Sequence, residues 1–147
     1  MEKKIRKSIN ITAPSKKVWD VLQLDQYTSI WYEEFSPGTR AHTDWKEGSK
    51  AIFTDNSGSG IIGIITKNKP YESLELEYNG VVDKGKEDYE SESAKQMKGS
   101  VEKYHLQENA GVTELNVELD MDEKYYDYMS EAWDKALLKI KEISEKQ

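Results

Sequence analysis

The sequence predicts an α+β fold: a curved antiparallel sheet of about seven strands, covered on one face by a single long helix. Three observations lead there. The centre of the chain alternates apolar and polar residues in short runs divided by turn-forming clusters, the period of strands with one buried side. The last stretch repeats apolar residues every three or four positions, the period of an amphipathic helix. Two brief helical patterns follow the first strand, and only the long terminal helix is left to cover the concave apolar face.

The first strand is Ile5 to Thr12. Ile5, Ile9 and Ile11 share one face, with Lys7 its single polar interruption. Ala13-Pro14 stops it, and Pro14 suits the first turn of a helix, where its missing N–H leaves nothing unsatisfied. Val18, Trp19, Val21 and Leu22 then recur at helical spacing against Lys16, Lys17, Asp20 and Gln23. Asp25 is placed to cap a second helix through Tyr27, Ile30, Trp31 and Tyr32, which Ser36-Pro37-Gly38 ends. Thr39 to Trp45 is a weak strand, and Lys46-Glu47-Gly48 turns the chain. Ala51 to Thr54 and the β-branched run Ile61 to Thr66 flank Asp55–Gly60, a hairpin loop of residues that tolerate positive φ. Asn68-Lys69-Pro70 breaks the run.

Leu74, Leu76 and Tyr78 alternate with Glu75 and Glu77, a strand with one side buried. Asp83 to Lys98 is expected to be a long solvated loop, with a short helix near Ser91–Gln96. Val101 to Gln107 is a strand placing Glu102, Tyr104 and Leu106 on one face. After a turn at Glu108–Gly111, Thr113, Leu115, Val117 and Leu119 face inward against Glu114, Asn116, Glu118 and Asp120. Asp120-Met121-Asp122-Glu123 offers a capping arrangement for the final helix. Tyr125, Met129, Ala132, Trp133, Ala136, Leu137, Ile140 and Ile143 form its apolar stripe, and about twenty-three residues give a rod of roughly 35 Å.

Composition narrows the chemistry. The 147 residues suit one domain, expected to span 1–147. Ile, Leu, Val and Phe supply only about a fifth of the chain, and fifteen aromatics provide the large burial units instead. The absence of cysteine excludes disulfides, thiolate metal sites and thiol catalysis. Twenty-one basic against 28 acidic residues argue against a nucleic-acid partner, which needs clustered cations. No apolar run approaches the ~18–20 residues of a membrane span, so membrane insertion is not expected. The basic start has no apolar stretch behind it, so a cytoplasmic location is expected.

A curved sheet closed by one helix commonly leaves a cavity between them. Trp31, Tyr32, Phe53, Tyr78, Glu102, Tyr104, Met129 and Trp133 are the candidate lining. Trp31 and Tyr32 are expected near the mouth. Rings with polar tips suit a ligand with an apolar body and a few hydrogen-bonding groups, a small hydrophobic or amphipathic molecule.

The opening Ile9-Asn10-Ile11-Thr12-Ala13-Pro14-Ser15-Lys16-Lys17-Val18-Trp19-Asp20-Val21-Leu22 resembles the strand–Ala-Pro–helix start of START-like (SRPBCC) proteins. The closing Tyr125-Tyr126-Asp127-Tyr128-Met129-Ser130-Glu131-Ala132-Trp133-Asp134-Lys135-Ala136-Leu137 resembles their last helix. Among them the chain is most similar to bacterial relatives of the C-terminal domain of the activator of heat-shock-protein-90 ATPase. The resemblance implies a helix-grip fold, a seven-stranded sheet wrapped round the last helix with a pocket between. It implies binding of lipids, sterols, polyketides or aromatic compounds, or activity as a cyclase, with no catalytic signature matched residue by residue. It also implies a chaperone-regulating alternative, weakened because the activating relatives carry a separate N-terminal domain for which this chain has no room.

Other patterns carry less. Gly58-Ser59-Gly60-Ile61-Ile62-Gly63 fits a dinucleotide fingerprint, but a strand follows it where a helix N-terminus is required, so it is read as a hairpin. His42 and His105 are the only histidines and are placed on the surface or rim; His42 and Asp44 offer two ligands from one strand face where a metal site needs three or four, and neither metal nor cofactor is expected. The acidic stretch Glu87–Glu92 lacks a calcium-loop register. Asn10-Ile11-Thr12 is a chance sequon. Glu102 has two readings: a wet carboxylate near Lys98, or a buried one able to act as a general base beside a tyrosine, as a cyclase or dehydratase would need.

Overall fold

In a computed structural model, which describes residues 2–146, strand β1 (Glu2–Ile11) is followed by helices α1 (Ser15–Gln23) and α2 (Asp25–Trp31). Then come β2 (Arg40–His42), β3 (Lys50–Thr54), β4 (Gly60–Lys69), β5 (Ser73–Asp83), β6 (Lys86–Asp88), α3 (Glu92–Met97), β7 (Val101–Asn109) and β8 (Val112–Asp122). Helix α4 (Tyr126–Glu145) closes the chain. The strands form one antiparallel sheet in the order β1-β8-β7-β5-β4-β3-β2, with β6 paired to β5 where β7 leaves off.

Register follows the apolar pattern. Ile5 pairs with Leu119, Ile9 with Leu115 and Ile11 with Thr113, so the inward sets of β1 and β8 coincide on one face. The buried Thr113 hydroxyl donates to the Ala13 carbonyl at 2.7 Å, which satisfies it. Lys7, the polar interruption, is half-buried and pairs with Asp134 of α4 at 2.9 Å. Ala110 and Gly111, both at positive φ, make the two-residue turn that the right-handed twist of β7 and β8 favours. On α4, Ala132, Trp133, Ala136, Leu137, Ile140 and Ile143 are buried. The two alanines on this stripe, with no side chain beyond Cβ, leave room for the sheet and α1 to approach.

Several expectations are corrected. The run Ile61–Thr66 continues to Lys69, because β5 supplies partners for Lys67, Asn68 and Lys69, and Pro70 is the true stop. The weak strand Thr39–Trp45 narrows to three residues. The expected loop Asp83–Lys98 holds a strand, β6, while the short helix expected near Ser91–Gln96 is found as α3. Ser91 caps α3 by accepting from the Ala94 N–H at 3.2 Å, and Ala94 is fully buried. Asp25 does not cap α2. Leu24 occupies that position with extended backbone and no side-chain bond, and Asp25 is the first helical residue. Asp120 does not cap the final helix either. It remains in β8, accepts from the Val101 N–H at 3.0 Å and pairs with Lys4 at 2.6 Å. Asp122 takes the capping role, accepting from the Lys124 N–H at 2.8 Å at the head of a 3₁₀ turn, Glu123–Tyr125. That tighter turn shifts the helical phase, which leaves Tyr125 53% exposed.

Leu115 is fully buried and Leu138 is 62% exposed. Leu115→Ala is expected to cost about 2–5 kcal/mol in urea unfolding, and Leu138→Ala to change stability by less than about 0.5 kcal/mol. Equal losses would contradict the inward face assigned to β8.

Candidate functional site

A cavity of ≈140 Å³ lies between the concave face of the sheet and α4. All eight residues singled out in the sequence line it, together with Leu22, Phe35, Thr39, Trp45, Ile61, Leu74 and Leu76. Trp31, Tyr32, Tyr78, Tyr104 and Trp133 are buried, while Phe35, Thr39, Trp45, Phe53, Ile61 and Met129 are half-buried and mark the side nearest solvent. Trp31 and Tyr32 therefore sit deeper than expected, at 1% and 7% exposure, and the residues after α2 take the place at the mouth.

Each group is placed by its element. The Trp31 indole N–H donates to the Val21 carbonyl at 2.9 Å, fixing α2 against α1. Trp45, in the connection after β2, donates to the Gln23 carbonyl at 3.1 Å. Pleating sends Glu102, Tyr104 and Leu106 of β7 to the concave face, with Glu102 opposite Leu76 of β5 and Leu119 of β8. Tyr78 reaches the same point from β5 because Gly63 of β4 yields to its ring. A Cβ at position 63 would stand 3.0 Å from the ring and 2.9 Å from the Glu77 carbonyl oxygen.

Together these side chains make a closed circuit. Trp133 lies 6.0 Å from Trp31, Trp31 4.5 Å from Tyr32, Tyr32 6.3 Å from Phe53, and Phe53 6.3 Å from Tyr78, measured between ring centres. The Tyr78 hydroxyl donates to Glu102 Oε1 at 3.1 Å, and the Tyr104 hydroxyl donates to Oε2 at 2.5 Å. Tyr104 then returns to Trp133 at 6.0 Å. All five of these ring pairs are edge-to-face or tilted, arrangements favoured by the ring quadrupole.

Glu102 is half-buried, with its carboxyl turned into the cavity wall and held by the Tyr78 and Tyr104 hydroxyls, so the reading that keeps it wet beside Lys98 gives way to one largely withdrawn from water. Burial pushes its pKa up from the ordinary glutamate range, against the pull of the Tyr104 and Tyr78 hydroxyls. Burial also drives the pKa values of Tyr32, Tyr78 and Tyr104 well up, with the Glu102 charge adding to the effect. The Trp133 indole N–H is buried without a partner.

Phe35 and Trp45 were missed by sequence reasoning. Phe35 packs edge-on to Trp133 at 4.9 Å and Trp45 lies 6.1 Å from Phe53. Neither belongs to a periodic segment, so only their proximity in sequence to other aromatics could have flagged them. His42 and His105 are exposed and lie outside the cavity lining, bonded to Thr54 and Ser73 at 3.1 Å each.

Sheet, terminal helix and intervening cavity define a helix-grip protein. Residues 12–145 match the family described as Activator of Hsp90 ATPase homolog 1-like protein, and the chain belongs to it. Its fold is similar to that of protein MLL2253 from Mesorhizobium loti (14% identity, TM-score 0.75, 96% of each chain). It is similar also to the Aha1 dimer from Colwellia psychrerythraea (17% identity, TM-score 0.74, covering 97% of this chain and 96% of that one). CalU16 from Micromonospora echinospora shares the fold at 18% identity and TM-score 0.67, over 95% of this chain and 73% of its own. No curated protein matches the sequence. Among the described residues, no helix is long and apolar enough to cross a membrane.

Because the folded pKa of Glu102 is raised, its contribution to stability is complete below the unfolded value of about 4.3 and is lost as pH rises through the folded value. Glu102→Gln removes that loss. The stability of the variant relative to wild type is expected to grow as pH rises from about 4 to 7, measured by urea unfolding at several pH values. A difference independent of pH, or one that shrinks, would contradict the buried placement.

Proposed function

We propose that this chain is a small-molecule binding domain whose ligand occupies the cavity between sheet and α4. The observation that carries the reading is the closed circuit of six aromatic side chains and Glu102 around ≈140 Å³ of space. An engineered cavity of about 150 Å³ admits benzene, so the volume suits a compact aromatic or branched aliphatic body. Membership of a family that includes ligand-binding and polyketide-cyclase-like proteins supports it. Phe35, Phe53 and Met129, half-buried, make an apolar threshold. Glu102 and its tyrosines supply the few polar groups that orient a ligand in such a site.

A second reading is favoured by one observation, the carboxyl whose protonated form burial stabilises between two tyrosine hydroxyls. That environment suits a general acid or base in a cyclase or dehydratase. An activity that survives Glu102→Gln undiminished removes this reading and leaves the binding reading standing.

Titration with a panel of compact hydrophobic and aromatic compounds tests the binding reading. A ligand of this size is expected to bind in the micromolar to millimolar range and to change tryptophan fluorescence through Trp31 and Trp133. In Trp133→Phe a substantial part of the change is expected to disappear. No response across the panel would contradict the proposal.

A further inference from the structure

The circuit around the cavity has a chemical polarity. Among the described residues that line it, Glu102 is the sole charged side chain, and no lysine, arginine or histidine joins it. The causes that shift its pKa include no cation. A carboxylate taken out of water costs heavily unless it is paired, and here its partners are two neutral hydroxyls. Both hydroxyls have already committed their hydrogens to the carboxylate oxygens, at 3.1 and 2.5 Å. What Tyr78, Tyr104 and Glu102 have left to offer is lone pairs, so this end of the cavity accepts and does not donate. Around it stand the faces and edges of Trp31, Tyr32, Phe53 and Trp133.

We propose that the cavity selects a small aromatic amine in its ammonium form, seated with its N–H groups on Glu102 and the tyrosine oxygens and its ring among the surrounding aromatic side chains. The inference rests on the ligand-binding reading and names the class of ligand for the same site. An ammonium brings three donors to a group of acceptors, supplies the positive charge the half-buried carboxylate lacks, and meets aromatic faces that attract cations. An anion of the same size meets a carboxylate and lone pairs, against which the unpartnered Trp133 indole N–H is a single neutral donor. The net charge of −7 draws cations and repels anions at long range in the same sense.

The test compares four ligands of matched shape, benzylamine, benzyl alcohol, toluene and benzoate, titrated into the full chain near neutral pH and followed by amide NMR shifts. Benzylamine is expected to bind tightest, toluene and benzyl alcohol about tenfold or more weaker, and benzoate weakest. Glu102→Gln is expected to weaken benzylamine about tenfold to a hundredfold while toluene changes by no more than about twofold. Tyr104→Phe, which keeps the ring and removes one acceptor, is expected to weaken benzylamine selectively and provides a readout should Glu102→Gln fail to fold. Benzoate or benzyl alcohol binding as well as benzylamine, or benzylamine unaffected by these variants, would overturn the ammonium assignment. Toluene binding with benzylamine excluded would overturn it too, leaving the apolar ligand reading intact. Binding of none of the four would remove both.

Discussion

A sheet that bends around a single helix must fill a concave hollow, and this chain has few aliphatic residues with which to do it. Ile, Leu and Val complete the layers where β1, β8 and the C-terminal half of α4 meet, at Ile5, Leu115, Val117, Ile140 and Ile143. Nearer the N-terminal end of α4 the task passes to rings: Trp31, Tyr32, Phe35, Phe53, Tyr78, Tyr104 and Trp133. These rings meet edge-to-face or tilted, as their quadrupoles favour, and ≈140 Å³ beside them stays unfilled. The cavity lies at the aromatic end of the core.

That cavity explains how a carboxylate survives inside. In a solidly packed core Glu102 would meet only apolar surface opposite Leu76 and Leu119. Tyr78 and Tyr104 bring hydroxyls to it from two neighbouring strands, and the Gly63 backbone makes room for the Tyr78 ring. The arrangement lowers the penalty of burial without cancelling it, as the raised pKa of Glu102 records. A group kept under such tension in a recess is common at sites that meet ligands, and less common in plain structural cores.

Much of this was legible in the sequence, for identifiable reasons. Period-two alternation put Glu102 beside Tyr104 and Leu106 before any contact was known, and spacings of three and four aligned Met129 with Trp133. What alternation cannot supply is the partner across the sheet: Tyr78 lies 24 residues earlier, and its hydroxyl helps hold the Glu102 carboxyl at the cavity wall. Phe35 and Trp45 escaped because they stand in irregular backbone, Trp45 at positive φ, where no period marks an inward face. Tyr125 was drawn into the helical stripe because a 3₁₀ turn and an α-helix differ in phase without differing in composition. Strand β6 was hidden by its charges, Lys86, Glu87 and Asp88, which an exposed edge strand tolerates and a central one does not.

The central claim is that the space between α4 and the sheet is real, accessible and lined by the Trp31–Trp133 circuit. Diffraction from crystals held under xenon pressure measures this most directly, since xenon enters apolar cavities of this size without needing a specific ligand. The account predicts xenon density among Trp31, Phe53 and Trp133. Crystals that show those rings in contact across the hollow, with no xenon between them, would contradict it.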